Sequence, residues 1–336
     1  MILSSRTVGF RRGERNLFFH ILTACNLRCR HCYINTAQHG TEMLDKALAV
    51  EWLRLFARPD RPTNLILLGG EPTLHPDLPF IIRQAKSLGF TVTVDSNGYL
   101  FHDFLGRTSP DELDYLSFSL DGPEAAVNDA IRGPGVFEVC TTGIRQALAA
   151  GFKVSLIYTV SERNIDALPR MIPLLQSLGV RKWFIQVLGL RGNSAKSEGV
   201  ETNRVSRRRW LEVVPEVAAK AAAAGMHVIY PQVFLEPGEE FLCAGNVAEN
   251  YFLFPNGRVY QCPLCEDYPI NAYRIGEGKL ERNPGLNEDR FFSLAIAEGC
   301  VMNKLLQPDT LEYDREGKPA YQISCCLLKR EIGWEQ

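Results

Sequence analysis

Short apolar runs alternate with helix-period segments along the first 190 residues of the chain. Residues 17–23 (LFFHILT), 64–70 (NLILLGG), 90–98 (FTVTVDSNG), 113–122 (LDYLSFSLDG), 152–162 (FKVSLIYTVSE) and 182–190 (KWFIQVLGL) are rich in Val, Ile, Leu, Phe and Thr. Most end in Gly, Asn, Asp or Ser, which predicts six strands. Between them, residues 42–57, 78–89, 137–151 and 168–179 place apolar side chains three and four apart, the spacing of a helix with one buried face. Three of these segments stop at Gly before the next strand, a common helix stop. Such alternation argues for parallel strands joined by right-handed crossovers. A closed eight-unit barrel takes ~250 residues. Six units ending near 190, with a further helix at 206–224, therefore predict an open, partial barrel, and an open doubly wound sheet is the alternative.

The texture changes after about residue 231. Pro, Gly and Asn rise, long helical periodicity fades, and six of the ten cysteines appear. Residues 251–262 (YFLFPNGRVYQC) read as a hairpin, two apolar strands around Pro-Asn-Gly. A domain change is expected near 231–240. That gives an N-terminal extension over 1–16, a barrel over 17–230, and a small cysteine-rich α+β domain over 231–336.

Composition narrows the function. At 336 residues, 46% hydrophobic and 23% charged, the chain can bury one large core with a smaller appended domain. With 37 basic and 39 acidic residues it offers no strong field for nucleic acid or an anionic membrane. The two basic clusters, RRGER (11–15) and RVSRRRW (204–210), read as solvated surface. No run approaches the ~18–20 apolar residues of a membrane span, and the first residues lack a secretory signal pattern. The expectation is a cytoplasmic protein, in which ten cysteines favour metal or redox chemistry over structural disulfides.

Three of those cysteines lie within eight residues, in LTACNLRCRHCY (22–33). Cys25, Cys29 and Cys32 follow the first strand, where three thiolates from one loop can hold three irons of a [4Fe-4S] cluster and leave the fourth open. Structural zinc is the alternative, with His31 and His39 nearby, although zinc usually draws two Cys-x2-Cys pairs or Cys/His mixtures.

The loop resembles the Cys-x3-Cys-x2-Cys motif of the radical S-adenosylmethionine (radical SAM) superfamily. The second strand ends in GGEP (69–72), and SNG (96–98), SLDG (119–122) and IRG (131–133) recur where that family carries ribose- and carboxylate-binding positions. The resemblance covers roughly residues 15–195. It implies a partial (β/α)6 TIM-like barrel with the active site at the strand C-termini. It also implies a SAM-binding [4Fe-4S] cluster, with S-adenosyl-L-methionine held near His31, Gly69, Gly70, Glu71, Asn97, Ser119, Arg132 and Leu190. Glu71 would accept from the methionyl ammonium, Asn97 and Ser119 would meet sugar hydroxyls, and Arg132 the carboxylate. Cleavage of SAM to a 5'-deoxyadenosyl radical, followed by hydrogen abstraction, is the chemistry implied.

The stretch from Cys243 to Cys262 resembles the start of a SPASM or twitch auxiliary-cluster domain, which implies one auxiliary [4Fe-4S] cluster. Cys243 and Cys262 lead as ligands and Cys265 follows, with a fourth from Cys300, Cys325 or Cys326; a zinc-stabilised mini-domain is the alternative. A spare thiol could give a hydrogen atom to a substrate radical. The resemblance points to peptide modification as the leading substrate class. A small-molecule dehydrogenase, an epimerase or a cofactor-biosynthesis enzyme is the alternative, and a non-catalytic iron–sulfur or zinc scaffold the third. Expected partners are an electron donor such as flavodoxin or ferredoxin and, for a peptide substrate, a separate carrier protein.

Overall fold

The computed structural model describes residues 4–7, 14–195, 204–236, 238–308 and 311–333. Residues 11–13 of the basic RRGER cluster, and most of the N-terminal extension, lie outside the described residues.

All six expected strands form. They are β2 (Arg15–His20), β3 (Thr63–Leu68), β4 (Phe90–Ser96), β5 (Tyr115–Ser119), β6 (Val154–Val160) and β7 (Lys182–Val187), each bonded in parallel to the next. Burial alternates along β3 and β4. Leu65, Leu67, Val92 and Val94 are wholly buried beneath an outer layer of helices, while Asn64, Ile66, Thr93 and Asp95 face a central lumen. The period of two along a strand thus separates a dry outer core from a mixed inner face.

The outer helices follow the amphipathic segments. Lys46–Phe56 starts later than the periodicity suggested, because Asp45 caps it by accepting from the Ala47 and Leu48 amides. Val136–Ala149, Met171–Leu178 and Arg207–Ala223 match within a few residues. Residues 165–170, with Pro169 among them, form a 3-10 turn that delays the helix at Met171. A short helix, Ala125–Arg132, was not anticipated.

The sheet runs further than six units. β8 (His227–Pro231) adds a seventh parallel strand beside β7. The expected hairpin forms as β9 (Glu249–Leu253) and β10 (Arg258–Tyr260), and β9 lies parallel to β2 on the opposite edge. β11 (Tyr273–Gly276) and β12 (Lys279–Arg282) continue that edge. β13 (Lys329–Ile332) pairs antiparallel with β8, and β1 (Ser4–Thr7) pairs with β13. The segment after 231 therefore extends one thirteen-stranded sheet at both edges. Among the described residues no helix is long and apolar enough to cross a membrane.

Candidate active site

The cysteine loop leaves the C-terminal end of β2 and is tied down from three sides. The β3 tip holds its start, with the Gly70 amide donating to Leu22 O (3.1 Å) and the Glu71 amide to Ala24 O (3.0 Å). The end of the Ala125–Arg132 helix holds its middle, through the Arg30 amide on Ile131 O (3.0 Å). The loop after β7 holds its end, through the Asn193 amide on Cys32 O (2.8 Å). The glycine pair has a clear reason: a Cβ on Gly69 would sit 2.3 Å from Leu22 O, and one on Gly70 2.1 Å from Ala24 O. The bare backbone thus serves the cysteine loop itself.

Cys25, Cys29 and Cys32 are partly exposed and border one cavity of about 640 Å³. His31, Gly69, Gly70, Glu71, Asn97, Ser119, Arg132 and Leu190 border it too, so every residue expected at the SAM site is brought together. Burial pushes the Cys25 thiol up to about 11 and raises those of Cys29 and Cys32. A thiolate there needs a strong positive partner, as a metal provides.

Glu71 is wholly buried and heavily used. One oxygen accepts from the Thr73 amide (3.1 Å), the Thr73 hydroxyl (2.6 Å) and the Ser96 hydroxyl (2.9 Å); the other accepts from the Asn97 amide (2.7 Å). Burial raises its pKa against these donors, which pull it down. The carboxylate thereby braces the Asn97 turn, and Asn97 in turn donates to Asn26 Oδ1 (2.8 Å) inside the cysteine loop.

Asp121, part of the SLDG segment from which only Ser119 was expected at the site, is the acid that organises the far wall. Its Oδ2 lies 2.6 Å from Arg132 Nε and 3.1 Å from His31 Nε2, and its Oδ1 accepts from the Thr159 amide at 2.7 Å. Burial alone would raise this carboxyl, but Arg132 and His31 hold it well below the usual carboxylate range. Arg132 ends its helix, where a cation suits the dipole.

The lumen beneath is polar in patches. Ser117 Oγ, Ser155 Oγ and His31 Nδ1 are buried without a hydrogen-bond partner and belong to its lining. Unpaired buried donors of this kind fit a site that a ligand completes. Lys329 reaches in from β13 and donates to Gln186 Oε1 at 2.9 Å; burial lowers it to about 8. Burial pushes Asp95, also on the lining, up to about 7.

The other cysteines gather at a second place. Cys243 and Cys300 each precede a short helix, Ala244–Val247 and Val301–Leu306. Cys262 precedes and Cys265 ends the Pro263–Cys265 turn after β10, and Cys325–Cys326 lead into β13. Electrostatic interactions link Cys262 with Cys265, Cys325 with Cys326, and Cys243 and Cys300 each with Cys262 and Cys325. Cys243, Cys262, Cys265, Cys300, Cys325 and Cys326 thus offer more thiols than the four ligands expected. Cys326 also borders the lumen. Burial pushes Cys300 up to about 12. Glu288 clamps this region by accepting from the Gln261 (2.7 Å), Cys262 (2.9 Å) and Ala272 (3.1 Å) amides. Cys140, by contrast, is wholly buried in the main core, as expected of a core thiol. Among the described residues no three His, Cys, Asp or Glu side chains converge at the spacing of a single ion.

The profile of the Radical SAM superfamily matches residues 20–175, from the end of β2 through the cysteine loop and beyond β6. The "Probable GTP 3',8-cyclase" of Saccharolobus solfataricus is 31% identical over 309 residues, 86% of this chain and 96% of that protein. The chain belongs to the radical SAM superfamily. Membership implies a [4Fe-4S] cluster and SAM. Within the superfamily the chain is also similar to the "Pre-heme d1 synthase" of Dinoroseobacter shibae, 28% identical over 288 residues, 82% of this chain and 68% of that one. It is 29% identical over 196 residues to the "AdoMet-dependent heme synthase" of Methanosarcina barkeri, spanning 57% of this chain and little more than half, 56%, of that relative. Streptococcus suis SuiB bound to precursor peptide SuiA shares the radical SAM fold at a TM-score of 0.65 and 12% identity, over 88% of this chain and 71% of that one.

Proposed function

We propose that Cys25, Cys29 and Cys32 hold the SAM-binding cluster, and that a second iron–sulfur group of the twitch type is held by four of Cys243, Cys262, Cys265, Cys300, Cys325 and Cys326. When bound, cluster and SAM supply a 5'-deoxyadenosyl radical that takes a hydrogen atom from the substrate. The chain's own residues hold, orient and enclose. The observation that carries this reading is that the three cysteines share one cavity with Gly69, Gly70, Glu71, Asn97, Ser119, Arg132 and Leu190. Arg132, held at its Nε by Asp121, keeps its outer nitrogens for a carboxylate. His31 presents a flat ring fixed by the same acid.

The substrate we propose is a small molecule of a cofactor-biosynthesis type, oxidised or rearranged after loss of hydrogen. The relatives named for haem and for GTP cyclisation support this, as does a lumen of about 640 Å³ with unpaired buried hydroxyls. Peptide modification, the class favoured by the sequence motifs, is the second reading, and the fold shared with peptide-bound SuiB favours it. A reduced flavodoxin or ferredoxin is the proposed electron donor, and a carrier protein belongs only to the peptide reading.

Anaerobic reconstitution tests the proposal. Wild type should bind about eight irons per chain and release 5'-deoxyadenosine from SAM on dithionite reduction. Cys29→Ala should retain the second group and lose SAM cleavage. A colourless, zinc-loaded wild type that leaves SAM intact would sink the reading.

A further inference from the structure

The two cysteine sets are joined by a single charged junction. Arg191, in the loop after β7, packs its guanidinium over the Tyr33 ring at 4.4 Å, one residue from Cys32. Its Nη1 donates to Pro263 O at 2.8 Å and ion-pairs with Glu266, one residue from Cys265. Glu266 is 1% exposed, and its second oxygen has no partner. The flanking backbone runs the same way. Gly192 donates to Asp267 Oδ2 (2.7 Å), Asn35 Nδ2 donates to Asp267 Oδ1 (3.2 Å), and Asn193 Nδ2 donates to Cys29 O (3.3 Å). A permanent cation is thus wedged between the loop carrying Cys29 and Cys32 and the turn carrying Cys262 and Cys265. Its charge acts on Cys32 on one side and Cys326 on the other.

We propose that Arg191 and Glu266 are positioning residues that set the reduction potentials of the groups held by the two cysteine sets. This rests on the reading that both sets hold iron–sulfur clusters. Adding an electron to a cluster adds negative charge, which a nearby buried cation favours and a nearby carboxylate opposes. A charge wedged between two such groups acts on both. Arginine suits the place because it stays protonated and its planar fork can stack on Tyr33 while bonding Pro263 and Glu266.

The test is EPR-monitored potentiometry on the reconstituted full-length protein. Arg191→Gln should lower the reduced-to-oxidised ratio of at least one cluster about tenfold at a fixed potential, equivalent to ~59 mV for one electron. Glu266→Gln should raise the ratio, and Arg191→Lys should stay near wild type. The double variant Arg191→Gln/Glu266→Gln removes both charges while keeping shape; it covers the case in which the single arginine variant fails to fold, and should fall below Glu266→Gln. Potentials unchanged across these variants, with iron content retained, overturn the proposal. Shifts of the same sign in Arg191→Gln and Glu266→Gln also overturn it, since they report only disturbed packing. A wild type holding about four irons instead sinks the second-cluster reading, and Arg191 is then judged by the potential of the Cys25–Cys29–Cys32 site alone.

Discussion

Single side chains in this site are held by more partners than their motif reveals. Asp121 is the clearest case, because one buried carboxylate fixes both His31 and Arg132. Asp121→Asn leaves Arg132 without its counter-ion, and breaking a buried pair from one side costs about 3–5 kcal/mol. A urea midpoint well below wild type and weaker SAM binding by calorimetry are the expected outcomes. Wild-type SAM affinity in this variant would show that Arg132 does not depend on Asp121. His39 gives a prediction in pH. Burial first, and the Arg191 charge second, lower it from 6.5 to about 3 as it stacks on Phe254 at 3.9 Å. The folded state therefore binds no proton there at pH 5, whereas the unfolded chain does. Stability is present above pH 6.5 and is lost as pH falls toward 3, by about 2 kcal/mol at pH 5. Denaturation at pH 8 and pH 5 should show that loss in wild type and a smaller one in His39→Gln. Neither Asp121's double duty nor the Arg191–Glu266 pair was legible in the sequence. SLDG does not show in its own residues that Asp121 anchors His31 and Arg132, and no local pattern links an arginine to a glutamate 75 residues away.

At the level of elements, strands with a dry outer face and the β9–β10 hairpin were legible, whereas β8 and β13 were not. β3, β4 and β6 carry buried apolar residues on their helix-covered side, and that regularity predicts them. β8 is only five residues, HVIYP, wedged after an alanine-rich helix, and its Pro argued for a boundary instead. β13 reads KREI, because Lys329 turns into a polar lumen and Glu331 pairs with His227, so no apolar alternation survives. Loop–loop contacts are the tightest joints. Gly192 has a φ of +58°, and a Cβ there would lie 2.6 Å from the Tyr33 carbonyl carbon and 2.7 Å from Cys32 O. Gly192→Ala should therefore push the cysteine loop out of place. Iron bound at the first site should fall, read from absorbance per chain, while helix content by circular dichroism stays close to wild type.

Over the whole molecule, eight neighbouring parallel strands, β9 then β2 through β8, form an incomplete barrel whose two edges are both finished by residues after 231. The sequence divides there in texture, since Cys, Pro and Gly gather, but the hydrogen bonding does not divide with it. A chain cut after Pro231 would expose β2 and β8 as bare edges, the arrangement that invites strand-to-strand aggregation. Such a chain should be insoluble or melt without cooperativity; a soluble, sharply melting fragment would show that the barrel is self-sufficient.

The wedge of Gly192, Asn193 and Asp267 against the first cysteine loop carries a consequence for biosynthesis. Cys25, Cys29 and Cys32 are made more than two hundred residues before Asp267, whose turn clamps the neighbouring loop. Cys326 of the second set follows later still, so the three thiols of the first loop are made before the six of the second set can meet.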